Sequence, residues 1–238
     1  MPVAAIASTS TAYWYLTRAT GVVAMVLLTL VVALGVADVQ RLSSPSWPRF
    51  ITDAVHRRAS LLALVFLVIH IVTTALDTYA PINLLDAVIP FKSAYRPFWL
   101  GLGAVAFDLL LALIITSLLR ARIGVATWRK VHWLAYACWP IALLHGLGTG
   151  SDVKHGWMLL ITALCVAAVA LAVGFRLATA TGLTTAARVA GVAAPIAFVI
   201  GLLIWLPGGP LGHGWAERAG TPVRLIHNAT VISGGRPR

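Results

Sequence analysis

Residues 131–146 read VHWLAYACWPIALLHG. The stretch is apolar enough for the interior of a bilayer, yet it carries a histidine near each end, His132 and His145. A ring nitrogen in hydrocarbon is costly unless something binds it. The stretch therefore calls for a membrane and for a ligand.

The surrounding sequence supplies the membrane. Of the 238 residues 60% are hydrophobic and 11% charged, against about 25% charged in an ordinary soluble domain. Mainly apolar runs of roughly 17 residues or more recur, long enough to cross a bilayer as helices. They predict an all-α integral membrane bundle of six transmembrane helices, at about 16–37, 55–76, 98–119, 131–148, 157–177 and 189–206. Trp14, Tyr15, Trp99, Trp128, Trp157 and Trp205 fall at the span ends, as in an aromatic belt. Residues 1–207 make one six-helix domain and 208–238 a short extracytoplasmic tail. Cys138 and Cys165 lie inside spans without metal or redox spacing and read as packing residues.

The net charge of +11 is distributed for a membrane rather than for nucleic acid. Arg41, Arg49, Arg57 and Arg58 lie around the first connection, Arg120, Arg122, Arg129 and Lys130 in the third, and Arg176 and Arg188 near the fifth. The alternate loops mix Lys92, Arg96 and Lys154 with Asp77, Asp86 and Asp152. The positive-inside rule makes the first set cytoplasmic and places both termini outside, against the mild dissent of Arg218, Arg224, Arg236 and Arg238 in the tail. Span one lacks a basic cluster before Arg18 and reads as an uncleaved anchor.

Within this frame the histidines pair. His56 and His70 are 14 residues apart and His132 and His145 are 13 apart, or about 21 and 20 Å along a helix axis. Spans two and four run in the same direction, so His56 comes level with His132 and His70 with His145. Two stacked pairs are what two bis-histidine haems need, since an imidazole ligates haem iron axially and the macrocycle fits between apolar helices. A 14-residue step returns to within about 40° of one face, whereas a 13-residue step misses by about 140°. Pro140 lies between His132 and His145 and is expected to kink or rewind that helix. Arg57, Arg58, Arg129 and Lys130 beside the inner histidines, and Arg18 and Arg96 on the outer side, are candidate partners for haem propionates; the inner group serves equally as positive-inside anchors. Gly101, Gly103 and Gly146 would permit close approach of a backbone or macrocycle. Asp108, the one carboxylate deep in a span, reads as a structural hydrogen-bond partner, with a proton relay as the sharper alternative. His155, His213 and His227 read as solvated.

The segments HRRASLLALVFLVIH (56–70), WRKVHWLAYACWPIALLH (128–145) and RPFWLGLGAVAFDLLLALIITSLLR (96–120) resemble the ferric reductase-like transmembrane domain family, the di-haem membrane core shared with NADPH oxidases and ferric reductases. The resemblance covers roughly residues 14–177, and the Ala/Val/Arg-rich wording is similar to actinobacterial members. It implies haem b ligation by His56 with His132 and by His70 with His145, and a multi-pass protein of a bacterial plasma membrane. It also implies that the 13-residue spacing is tolerated. Oxidases of this kind carry a flavin and nicotinamide domain after the core, but no Gly-rich fingerprint follows a strand here. NADPH oxidation by this chain alone is not expected. The resemblance then implies electron transfer between a separate flavin or nicotinamide reductase and an extracytoplasmic redox protein. Two rivals remain: a single-haem membrane subunit of a periplasmic reductase, and a proton or ion transporter using the histidines and Asp108.

Overall fold

The computed structural model describes residues 2–40, 48–180, 182 and 184–226, and Arg41, His227, Arg236 and Arg238 lie outside them. All regular structure among the described residues is helical: α1 (Pro2–Val39), α2 (Arg49–Leu76), a 3₁₀ turn (Leu84–Ala87), α3 (Pro97–Leu118), α4 (Arg120–Ile123), α5 (Val125–His132), α6 (Ala135–Thr149), α7 (Gly156–Thr179), α8 (Thr185–Gly208) and α9 (Trp215–Arg218). Five segments are long and apolar enough to cross a membrane: Ala12–Val39, Phe50–Leu76, Pro97–Leu118, Gly156–Thr179 and Thr185–Gly208. Leucines such as Leu171 and Leu203 are exposed on them, as lipid-facing side chains should be. This is a multi-pass membrane protein.

The predicted fourth span differs. It is divided between α5 and α6, and the 15 residues of α6 extend about 22 Å, short of a hydrocarbon core of about 30 Å. The division lies at Trp133 and Leu134, ahead of Pro140. Leu134 N donates to Val131 O, Tyr136 N to Trp133 O and Ala137 N to Leu134 O, all i→i+3 bonds. Proline explains the position: it clashes with the carbonyl four residues earlier, here Tyr136, so the turn before it yields. Each tightened step turns about 20° more than an α-helical one. Three of them reduce the 13-residue phase error from about 140° to about 80°.

The described residues form two compact units, one within 1–21, 68–151 and 213–226, the other within 22–67 and 152–212. In the first, α3 packs antiparallel on α6. The register is set by rings lying over glycines: the His145 ring over Gly103, and the Trp99 indole over Gly148. Cys138 Sγ donates to Ala106 O further along. Residues 213–226 pack against the end of this pair, where Trp215 Nε1 donates to Gly148 O at 3.2 Å. In the second unit α7 and α8 form a hairpin. Thr184 caps α8 by accepting from Ala187 N at 3.2 Å, and Gly191 admits Leu177 of α7.

Candidate cofactor site

Three of the four predicted histidines share one construction. His70 Nδ1 lies 2.8 Å from Thr17 O, His56 Nδ1 3.0 Å from Val31 O and His145 Nδ1 2.9 Å from Trp99 O. In each case the acceptor is on a neighbouring helix, and a glycine follows it one turn later, at Gly21, Gly35 and Gly103. The histidine ring lies against that glycine. A Cβ there would come within 3.0 Å of His70, 3.3 Å of His56 and 2.5 Å of His145. Each histidine is also followed after four residues by a hydroxyl that donates to its carbonyl: Ser60 to His56 O, Thr74 to His70 O and Thr149 to His145 O.

The chemistry follows from the tautomer. A backbone carbonyl can only accept, so Nδ1 carries the proton and Nε2 keeps the lone pair that binds a metal. Among the described residues no hydrogen bond is made by Nε2 of His70 or His145. These two half-buried rings are neighbours, with centroids 6.4 Å apart and planes at 85°. Two imidazoles binding one metal in line at about 2 Å, with about 1.1 Å from each nitrogen to its ring centre, would have centroids about 6.3 Å apart, so the spacing is compatible with a shared metal. Among the described residues no three His, Cys, Asp or Glu side chains converge as a metal site. The donor chemistry of two neutral imidazoles would suit a metal whose other positions come from a macrocycle, as in haem.

His132 is built differently. It ends α5 with its ring stacked on Trp128, centroids 4.8 Å apart and planes at 30°. His56 belongs to the second compact unit and His132 to the first.

The candidate cations separate. Arg18 follows the carbonyl that holds His70, and its guanidinium lies 3.8 Å over the Trp14 ring. Arg57, Arg58, Arg129 and Lys130 are exposed. Arg96 is buried and bound to protein: its Nε donates to Thr221 Oγ1 at 2.9 Å and its Nη1 to Gly148 O at 2.8 Å. Among the expected glycines, Gly103 receives the His145 ring, Gly101 receives Phe91 instead, and a Cβ on Gly146 would meet nothing within 4 Å. Asp108 is half-buried, and no partner expected for it is found among the described residues.

Gly21 and Gly35 escaped the sequence reading. Their 14-residue separation equals that of His70 and His56 on the helix facing them, and this matched spacing was the available signal.

A family model described as the ferric reductase like transmembrane component matches residues 20–145. That is more than half of the chain, and it contains all four histidines and the three glycines beneath them. The chain belongs to the ferric reductase-like transmembrane family. No curated protein and no solved structure matches it. The family region begins just after Arg18 and closes on His145, a narrower span than the resemblance over 14–177. The helices α7 and α8 and the docked residues 213–226 lie beyond it.

Proposed function

We propose that the chain carries electrons across the membrane through two b-type haems, one held by His70 and His145 and one by His56 and His132. The observation that carries this reading is the His70–His145 pair: 6.4 Å between centroids, planes at 85° and both Nδ1 atoms committed to carbonyls. Bound haem would supply a one-electron iron couple. The protein's own residues do the rest. Thr17 O and Trp99 O fix ring orientation and make the imidazoles better donors. Gly21 and Gly103 let the rings settle against neighbouring backbone. Held by both histidines, a haem iron would have no position left for oxygen, which would suit electron transfer.

The second pair rests on the 14- and 13-residue spacings and on the construction at His56. Arg18 is a propionate partner on the His70 side and Arg57 and Arg129 on the other; Arg96 stands near the outer pair. In this reading α5 and α6 together make the fourth of six crossings. Residues 213–226 pack at the same end of α3 and α6 from which the chain departs toward α7. In this reading α7 and α8 cross as a pair and both termini lie outside a bacterial plasma membrane, an orientation that rests on the distribution of basic residues between the loops. Electrons enter and leave through separate partners, a flavin or nicotinamide reductase and an extracytoplasmic redox protein. A single-haem subunit is the second reading, favoured by the different setting of His132.

The test is a reduced-minus-oxidised spectrum of the detergent-purified protein, with haem counted per chain. Two b-type haems falling to one in both His70→Ala and His145→Ala support the assignment. A colourless protein from haem-replete cells overturns it.

A further inference from the structure

The segment after α8 reaches the outer pair through a short series of contacts. Arg96 precedes α3 in a left-handed conformation, φ 43 and ψ 61, which side chains other than glycine rarely adopt. It is held from three directions. Its backbone N donates to Gly220 O at 3.0 Å, its Nε to Thr221 and its Nη1 to Gly148 O. Gly148 O also accepts from the Trp215 indole. The Trp215 ring lies against that of Trp99, centroids 5.1 Å apart. Gly220 has φ +85, and a Cβ there would meet Pro97 at 3.0 Å, so the turn lies directly on the first residue of α3.

These contacts end at the residues that orient His145. Trp99 supplies the carbonyl for its Nδ1, and Gly148 lies three residues after it on α6. Trp99 lies in the first turn of α3, where a helix frays unless tied down. We propose that residues His213–Ile226 form a cap that ties it down, and that Arg96 and Trp215 are positioning residues for the His145 imidazole. This rests on the reading of His70 and His145 as a haem ligand pair. Neither residue is assigned a contact with the reacting iron. Their effect passes through the Trp99 carbonyl, whose hold on Nδ1 fixes the plane and donor strength of the ring. Arg96, expected to serve a propionate, is thereby placed in a different role.

The two arms of the test separate the cap from the haem assignment. Full-length protein is prepared with Trp215→Ala, Trp215→Phe and Arg96→Lys. Amide hydrogen exchange is followed over residues 99–105 and 145–150, and the low-spin haem signals by electron paramagnetic resonance. Two imidazole planes near perpendicular leave the iron π-orbitals nearly degenerate, so this pair should give a strongly anisotropic signal that moves when one ring turns. Trp215→Ala should speed exchange in both segments about fivefold to tenfold, leave α7 and α8 unchanged, and shift that signal with haem content retained. Trp215→Phe, which keeps a ring against Trp99, should restore part of both effects. Unchanged exchange in both segments overturns the cap. Faster exchange with an unmoved signal overturns the positioning role. If the parent protein holds no haem, the ligand assignment fails, the positioning role fails with it, and exchange alone decides whether the cap holds Trp99. Should Trp215→Ala fail to fold, Arg96→Lys carries the same comparison.

Discussion

The glycines beneath the histidine rings should be graded in their tolerance of a single methyl group. At Gly103 a Cβ would lie 2.5 Å from His145, whereas ordinary contact begins at 3.4 Å, so the ring must retreat by about 0.9 Å. At Gly21 the distance to His70 is 3.0 Å and the retreat about 0.4 Å; at Gly35 the distance to His56 is 3.3 Å and the retreat about 0.1 Å. Designed or predicted metal sites hold their ligand distances to about 0.2 Å, so only the last is absorbed. For Gly103→Ala two stability effects nearly cancel. Losing the bond to Trp99 O costs about 1 kcal/mol, while alanine is favoured over glycine in a helix by about 0.8–1 kcal/mol. Ligand geometry has no such compensation, and disturbing the groups that orient a metal ligand typically lowers affinity about 10- to 100-fold. Gly103→Ala should therefore fold with a nearly unchanged melting temperature and lose the haem proposed at His70 and His145. Gly21→Ala should weaken it less, and Gly35→Ala should match the parent. Gly174→Ala, where a Cβ meets nothing within 4 Å, is the control. Haem per chain and thermal melts of the four purified variants are the assay. A full haem complement in Gly103→Ala, or a greater loss in Gly35→Ala, would refute the reasoning.

Two further changes probe the helix break and the rival chemistry. Pro140→Ala restores a backbone donor and removes the clash with Tyr136, so the tightened turns relax and the phase between His132 and His145 reverts by up to about 60°. The variant should gain helix stability and lose haem, and unchanged haem content would show that the break is irrelevant to ligation. Asp108→Asn should leave haem content and potentials unaltered, because the carboxylate finds no partner among the described residues. Loss of a pH-dependent proton flux in that variant, measured in liposomes, would instead support the transporter reading.

Much of this was legible in the sequence, because membrane class and ligand spacing are local properties. Hydrophobic runs have to match the bilayer thickness, and the 14 residues between His56 and His70 return to one helix face whatever surrounds them. Pro140 likewise announced a distortion, although the clash displaced it one turn toward Trp133. The acceptors Thr17 O, Val31 O and Trp99 O carried no sequence signal. Every residue has a backbone carbonyl, and which one meets a given imidazole is settled by the antiparallel register of two helices. The glycines beneath the rings became meaningful only once that register was known. Arg96 shows the same limit from the other side. Its place in the sequence suited a propionate, and nothing there announced the tie of its Nε to Thr221, 125 residues further along the chain. Composition and periodicity thus determined the membrane and the histidines, while the tertiary structure decided what holds each histidine, because packing between distant segments selects among chemically equivalent groups.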